Sequence, residues 1–410
     1  MVGFKYWGSK DNSGVMIPYG KQFIDDDDIA AVVKALKSDY LTCGPRVETF
    51  EQAFADYVGA KHAVAVCNAT AALHLAMLAA EIGAGDRVVT SPNTFLSSAN
   101  CAAFTGAIPD FCDIDPVTYT MCPKALRDTW NNDTKTVIPV AYAGQSADMK
   151  SIASIARENG AVIVEDASHG TGGGFFQDGE AWKQGGHPWA DMTIFSFHPV
   201  KTLTTGEGGM LVTNDDDFAA RARLLRTHGM TRDGFQGLGS DDPAMIERGP
   251  WYYEMQELGY NFRITDIQCA LGSSQLAKLD GFISRRRDIV ARYNEAFADV
   301  NWLTTPRVRN EIDREHVSWH LYTVQIDFTA LGMNRTEVMQ SLRDKGVGTQ
   351  VLYIPVYLQP YYRQTYGYEA GKCPNSESYY TQALSLPLYP SMSDEDVTKV
   401  IATLRDVTTR

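Results

Sequence analysis

Residues 196–210 read SFHPVKTLTTGEGGM, directly after the apolar MTIF. Lys201 lies between what reads as a buried strand and a flexible Gly-rich turn. A solvated surface lysine requires no such setting. Its amine has an ordinary pKa of about 10.4 and is a poor nucleophile at neutral pH. Enzymes recruit lysine mainly for Schiff bases, where a carbonyl partner supplies the reactivity. A strand end that fixes the stem and glycines that leave room for backbone suit that use.

The strand before Lys201 is one of seven similar apolar runs. They are HAVAVC (62–67), RVVTS (87–91), IPDFCDI (108–114), TVIPVAY (136–142), AVIVEDA (161–167), MTIFSF (192–197) and GMLVTN (209–214). Rich in Val and Ile and without period-2 alternation, they predict strands buried on both faces. Helical patterns lie between them. TAALHLAMLAAEIG (70–83) is apolar almost all round, and DMKSIASIARENG (148–160) ends on an Asn-Gly stop. Strand and helix in alternation predict an α/β fold with a mainly parallel seven-stranded sheet and helices on both faces. Ligands of such sheets bind at the carboxyl ends of the strands.

After a long helical segment at 265–300 the pattern changes. Segments 318–327 and 348–354 read as strands, and 334–346 and 394–407 as helices. We expect an N-terminal extension (1–15), a large domain (16–280) and a smaller C-terminal α+β domain (281–410). The run DDDD (25–28) reads as a helix start, where acids favour the positive dipole end, rather than as a metal site.

The 410-residue chain has a net charge of -13, which excludes nucleic acid as a bulk partner. Its seven cysteines form no C-x-x-C pair and read as reduced thiols of a cytoplasmic protein. No apolar stretch has the length of a membrane span, and no signal peptide opens the sequence.

Asp166 ends the run AVIVED. A carboxylate there is costly unless paired. A metal or a helix N-terminus would satisfy it. So would the protonated ring nitrogen of pyridoxal phosphate (PLP), whose pyridinium acts as an electron sink. His169, in EDASHG, is placed to reach such a ring, or is a structural histidine. CNATAAL (67–73) joins a strand directly to a helix, and helix N-termini bind anions. Backbone N–H groups of Ala69 and Thr70, with the hydroxyls of Thr70 and Ser196, would cradle a phosphate; simple capping is the alternative. Phe95, in SPNTFLSSAN, offers a stacking face or fills the core. No nucleotide P-loop and no G-x-G-x-x-G after the first strand are present.

Taken in order, NATAALHLAM, PNTFLSSAN, AYAGQSADM, VEDASHG, FSFHPVKTLTTGEGGMLVTND, LGYNFRITDIQCALGSSQL and LSLPLYPSMSDEDV resemble the DegT/DnrJ/StrS family of PLP-dependent sugar aminotransferases. The resemblance runs from about residue 16 to the end and implies a fold-type I aminotransferase with PLP as cofactor. Within the family, FSFHPVK, TTGEGG and GYNFR look most like the UDP-4-amino-4,6-dideoxy-N-acetyl-β-L-altrosamine transaminases of pseudaminic acid biosynthesis. Carried over by position, Lys201 is the Schiff-base lysine, Asp166 pairs the pyridine nitrogen and His169 lies beside the ring. Ala69, Thr70 and Ser196 hold the phosphate. Asn261 would reach the phosphate in the neighbouring subunit, which implies a homodimer with shared active sites. Tyr19, Asp39, Tyr40, Leu41, Thr42, Gln350 and Tyr353 match positions that contact the sugar nucleotide. The chain has NAT where many relatives have NGT, which alanine tolerates at negative φ. Relatives with histidine in place of the lysine are sugar dehydratases, so the lysine here favours transamination.

The resemblance therefore implies transfer of an amino group from L-glutamate to C4 of a UDP-linked 4-keto-6-deoxy-N-acetylhexosamine. A 3- or 4-aminotransferase acting on a dTDP- or GDP-sugar, a non-catalytic PLP-fold regulator, and a metal hydrolase built on Asp166, His169 and His198 are the rival readings. His198 marks the subfamily without an evident task.

Overall fold

The computed structural model describes residues 16–237 and 247–407, so the extension assigned to 1–15 lies outside the described residues. All seven apolar runs form strands of one sheet: β1 His62–Val66, β2 Arg87–Thr90, β3 Ile108–Phe111, β4 Thr134–Ile138, β5 Val162–Asp166, β6 Met192–Ser196 and β7 Gly209–Thr213. Their spatial order is β1-β7-β6-β5-β4-β2-β3. Only β7 runs antiparallel to its neighbours. The cause is local. Parallel neighbours need a crossover, usually helical, and the segment carrying Lys201 between β6 and β7 contains no helix.

Four helices matter for the site: α1 Asp26–Leu36, α2 Pro45–Val58, α3 Ala69–Ala79 and α4 Ser97–Phe104. Side chains of β1 alternate between two apolar layers. Val64 and Val66 pack with Leu73 and Leu75 of α3, while Ala63 and Ala65 pack with Phe50 and Phe54 of α2. Both faces of the sheet are therefore covered, which is why its strands lack alternation.

The segment expected as one helix over 265–300 is two, α5 Asp266–Leu276 and α6 Leu279–Ala296. No Pro or Gly marks the break, so the apolar pattern runs through it. The break is fixed from outside. Buried Asp28 of α1 accepts from Ser274 Oγ and Gln275 Nε2, and Lys278 pairs with Asp28 and Asp25.

A three-stranded sheet of Leu303–Thr304, Tyr322–Ile326 and Ala383–Leu386 packs with helices Arg335–Asp344 and Asp394–Asp406. The expected strand at 348–354 is absent apart from one bridge, Gln350 to Ser385. The Leu352 carbonyl accepts from the hydroxyls of Tyr142 and Tyr379 instead of from a strand, and Pro355 follows shortly. We propose a domain division after residue 280, inside α6. Leu279 and Ile283 pack on the β1 and α2 layer, whereas Ile289, Val290 and Tyr293 enter the second core. Ile17 also packs in that second core.

Candidate active site

The loop carrying Lys201 is pinned, not flexible as expected. The Phe197 N–H donates to the Gly208 carbonyl at 2.9 Å, and the Thr205 N–H and Thr204 hydroxyl both donate to the Phe197 carbonyl at 3.0 Å. The Lys201 N–H donates to the His198 carbonyl at 2.8 Å. Burial pushes the Lys201 amine down to about 8, and the Asp166 carboxylate partly opposes that shift. Loss of solvent thus brings the loss of its proton much closer to neutral pH than in a solvated lysine.

Asp166 is buried at the end of β5. Its Oδ2 accepts from Ser98 Oγ at 2.6 Å and its Oδ1 from the Ser168 N–H at 3.1 Å. His169 is also buried, and its Nδ1 accepts from the Ala143 N–H at 3.3 Å. The neutral ring therefore carries its proton on Nε2, 3.1 Å from the Tyr353 hydroxyl. Burial holds His169 well below the ordinary histidine range, and the Lys201 charge adds to this. The ring of buried His320 lies 4.4 Å away.

At the start of α3, Asn68 Oδ1 caps the Ala71 N–H at 2.9 Å. The N–H groups of Ala69 and Thr70 point out of the helix end without intrahelical acceptors, as a first turn dictates. Ala69 has negative φ, so alanine is accommodated there. Gly209 closes against this turn, for a Cβ on it would lie 2.6 Å from the Ala69 nitrogen. Its register partner is Ser196, buried at the end of β6. Free N–H groups at a helix start, a buried carboxylate and a half-buried amine of lowered pKa fit the phosphate, ring nitrogen and aldehyde of PLP.

Phe95 is 57% exposed, and its ring lies 6.3 Å from that of Tyr353. Burial raises the Tyr353 hydroxyl well above its ordinary range, with contributions from Tyr142, Tyr19 and Asp166. Tyr353 thus lies within electrostatic reach of both Tyr19 and Asp166. Gln350 is exposed, three residues before Tyr353.

Two expected groups stand apart within this chain. Asp39, Tyr40, Leu41 and Thr42 are exposed, and the loop is latched to α5 by the Asp266 N–H on the Leu41 carbonyl at 3.0 Å. Asn261 is exposed and bridges backbone to Thr227. A cavity of about 530 Å³, lined by Gly44, Val47, Arg226 and Arg263 among others, includes none of Lys201, Asp166 or His169. Among the described residues, no group of three or more His, Cys, Asp or Glu is disposed to hold a metal ion. No helix of the described residues is long and apolar enough to cross a membrane. His198 is exposed at the mouth of the loop.

Sequence reasoning missed Thr94, Ser97, Ser98, Ala143 and His320. The hydroxyl residues read as ordinary helix-start residues, and their partners are distant in sequence. Only the clustering of hydroxyls in SPNTFLSS (91–98) marked that turn as unusual.

The sheet and its flanking layers are those of the fold-type I PLP-dependent aminotransferases. Residues 22–405 match the DegT/DnrJ/EryC1/StrS aminotransferase family, and the chain belongs to it. It is 43% identical over 392 residues to the spore coat polysaccharide biosynthesis protein SpsC of Bacillus subtilis, covering 95% of this chain and 97% of that one. Among solved structures it is similar to PseC of Helicobacter pylori, an aminotransferase in the biosynthesis of pseudaminic acid. That match has TM-score 0.85 and 28% identity and covers 96% of this chain and 99% of PseC. Spr1654 of Streptococcus pneumoniae in its PLP form gives TM-score 0.84 and 28% identity, over 96% and 99% of the two chains. The protein is a PLP-dependent sugar aminotransferase.

Proposed function

We propose that this aminotransferase moves an amino group from L-glutamate to C4 of a UDP-linked 4-keto-6-deoxy-N-acetylhexosamine, a step of pseudaminic acid biosynthesis, as a cytoplasmic homodimer. The observation that carries the catalytic reading is Lys201, a lysine whose amine burial lowers to about 8 beside Asp166. The likeness to PseC and the segment FSFHPVK support the sugar.

PLP, when bound, supplies an aldehyde that captures amines covalently and a pyridinium that withdraws electrons. The chain's residues then have distinct tasks. The N–H groups of Ala69 and Thr70 and the hydroxyls of Thr70 and Ser196 take the phosphate. The Asp166 carboxylate would keep the ring nitrogen protonated, and Phe95 and His169 would flank the ring. Lys201 Nζ removes the proton from the donor's α-carbon and later delivers one to the sugar C4 from a single face. Tyr19, Asp39, Tyr40, Leu41, Thr42, Gln350 and Tyr353 contact the sugar nucleotide, and Asn261 reaches the phosphate of the partner's cofactor.

A second reading keeps the chemistry and changes the sugar to another keto-deoxysugar nucleotide. The 43% identity to SpsC, a protein of spore coat polysaccharide biosynthesis, is a reason to weigh it. A panel of UDP-, dTDP- and GDP-linked 3- and 4-keto sugars with glutamate, with products assigned by NMR, decides between them. Fastest turnover of a dTDP-sugar would replace the first reading with the second.

A further inference from the structure

The first turn of α4 places two adjacent serines on two separate parts of the site. Ser97 Oγ lies 2.7 Å from Thr70 Oγ1 at the start of α3. Ser98 Oγ donates to Asp166 Oδ2 at 2.6 Å. Neighbouring residues on a helix diverge by roughly 100°, so one helix end can serve both targets. Thr94 Oγ1 lies 2.7 Å from Ser98 Oγ. A hydroxyl has one proton. That of Ser98 goes to Asp166, so Thr94 is the donor of the second bond. The three residues of this chain are 3%, 0% and 4% exposed, so the relay runs without bulk water. The helix itself is anchored by Tyr362, whose hydroxyl donates to Asn100 Oδ1 at 2.5 Å.

We propose that Ser97 and Ser98 are a pair of positioning residues. Ser98, backed by Thr94, fixes the Asp166 carboxylate, and Ser97 fixes Thr70. The start of α4 thereby sets the span between the ring acid and the phosphate cradle. The proposal rests on the roles given above to Asp166 and Thr70. Hydrogen bonds to a buried carboxylate are the stronger kind, and a lost donor in a dry site is not replaced by solvent.

The test uses PLP-loaded full-length enzyme and measures PLP retention by dialysis, the pH midpoint of the visible cofactor absorbance, and Tm. Ser98→Ala is expected to weaken PLP retention roughly tenfold and to shift the absorbance midpoint. Ser97→Ala weakens retention and leaves the midpoint in place. Thr94→Ser behaves as wild type, and Thr94→Ala follows Ser98→Ala at smaller amplitude. Ser98→Ala with wild-type retention and midpoint overturns the proposal. So does a loss confined to Tm that Thr94→Ser shares. Asp166→Asn separates the two layers. If it leaves the absorbance midpoint unchanged, the role of Asp166 fails. If it moves the midpoint while Ser97→Ala and Ser98→Ala match wild type, only the positioning pair fails.

Discussion

Lys201 is the residue at which burial and chemistry meet. Its amine loses its proton near pH 8 in the fold but at about 10.4 in an unfolded chain. The neutral, nucleophilic form therefore dominates above pH 8. Uptake of added PLP by the apoenzyme should rise through about pH 8 and level off above it, as read by the growth of visible absorbance in stopped flow. A midpoint near 10 would show that the site does not desolvate this amine. Between the two values the unfolded chain binds the extra proton, so this group makes apoprotein stability rise with pH across that window. Lys201, Asp166 and His169 stood out in the sequence as candidates because each is costly to bury and each lies at, or within five residues of, the carboxyl end of a strand. Ser98 did not, because a serine is an ordinary residue at a helix start and its partner lies 68 positions away.

At the scale of elements, the site depends on how closely β7 approaches α3. Gly209 is the contact point, and Gly209→Ala would drive a Cβ to 2.6 Å from the Ala69 nitrogen. Backbone cannot yield there without moving the first turn of α3. Gly209→Ala should therefore weaken PLP binding by about tenfold or more, with a destabilisation of about 1–3 kcal/mol from overpacking. Fluorescence titration of apoenzyme with PLP and denaturant unfolding check the two parts. Wild-type affinity in a folded variant would show that the cradle does not depend on this approach. The seven strands were readable because two-sided burial writes itself as unbroken apolar runs. The split between α5 and α6 was hidden, since Asp28 of a distant helix imposes it. The run at 348–354 misled because its β-rich composition serves to place Leu352 and Tyr353 near the site rather than to extend a sheet.

At the scale of the whole molecule, the single chain leaves expected site residues on its surface. Asn261 and the loop of Asp39, Tyr40, Leu41 and Thr42 are exposed and held by backbone contacts around α5 and Thr227. Leu258, three residues before Asn261, is 76% exposed, and Tyr40 and Leu41 of the loop are 55% and 47% exposed. Large apolar side chains exposed beside unused polar site residues are what an isologous interface requires, each copy lending its surface to the other's pocket. The proposed dimer makes a quantitative prediction. Lys201→Ala and Asn261→Ala subunits should each form impaired dimers. In a mixed dimer, the Asn261→Ala subunit keeps Lys201 and receives an intact Asn261 from its partner, so one of two sites is whole. Random reassortment of equal amounts makes half of the dimers mixed, and activity should return to about a quarter of wild type. Activity that stays at the average of the two parents after verified subunit exchange would place Asn261 outside the partner's site.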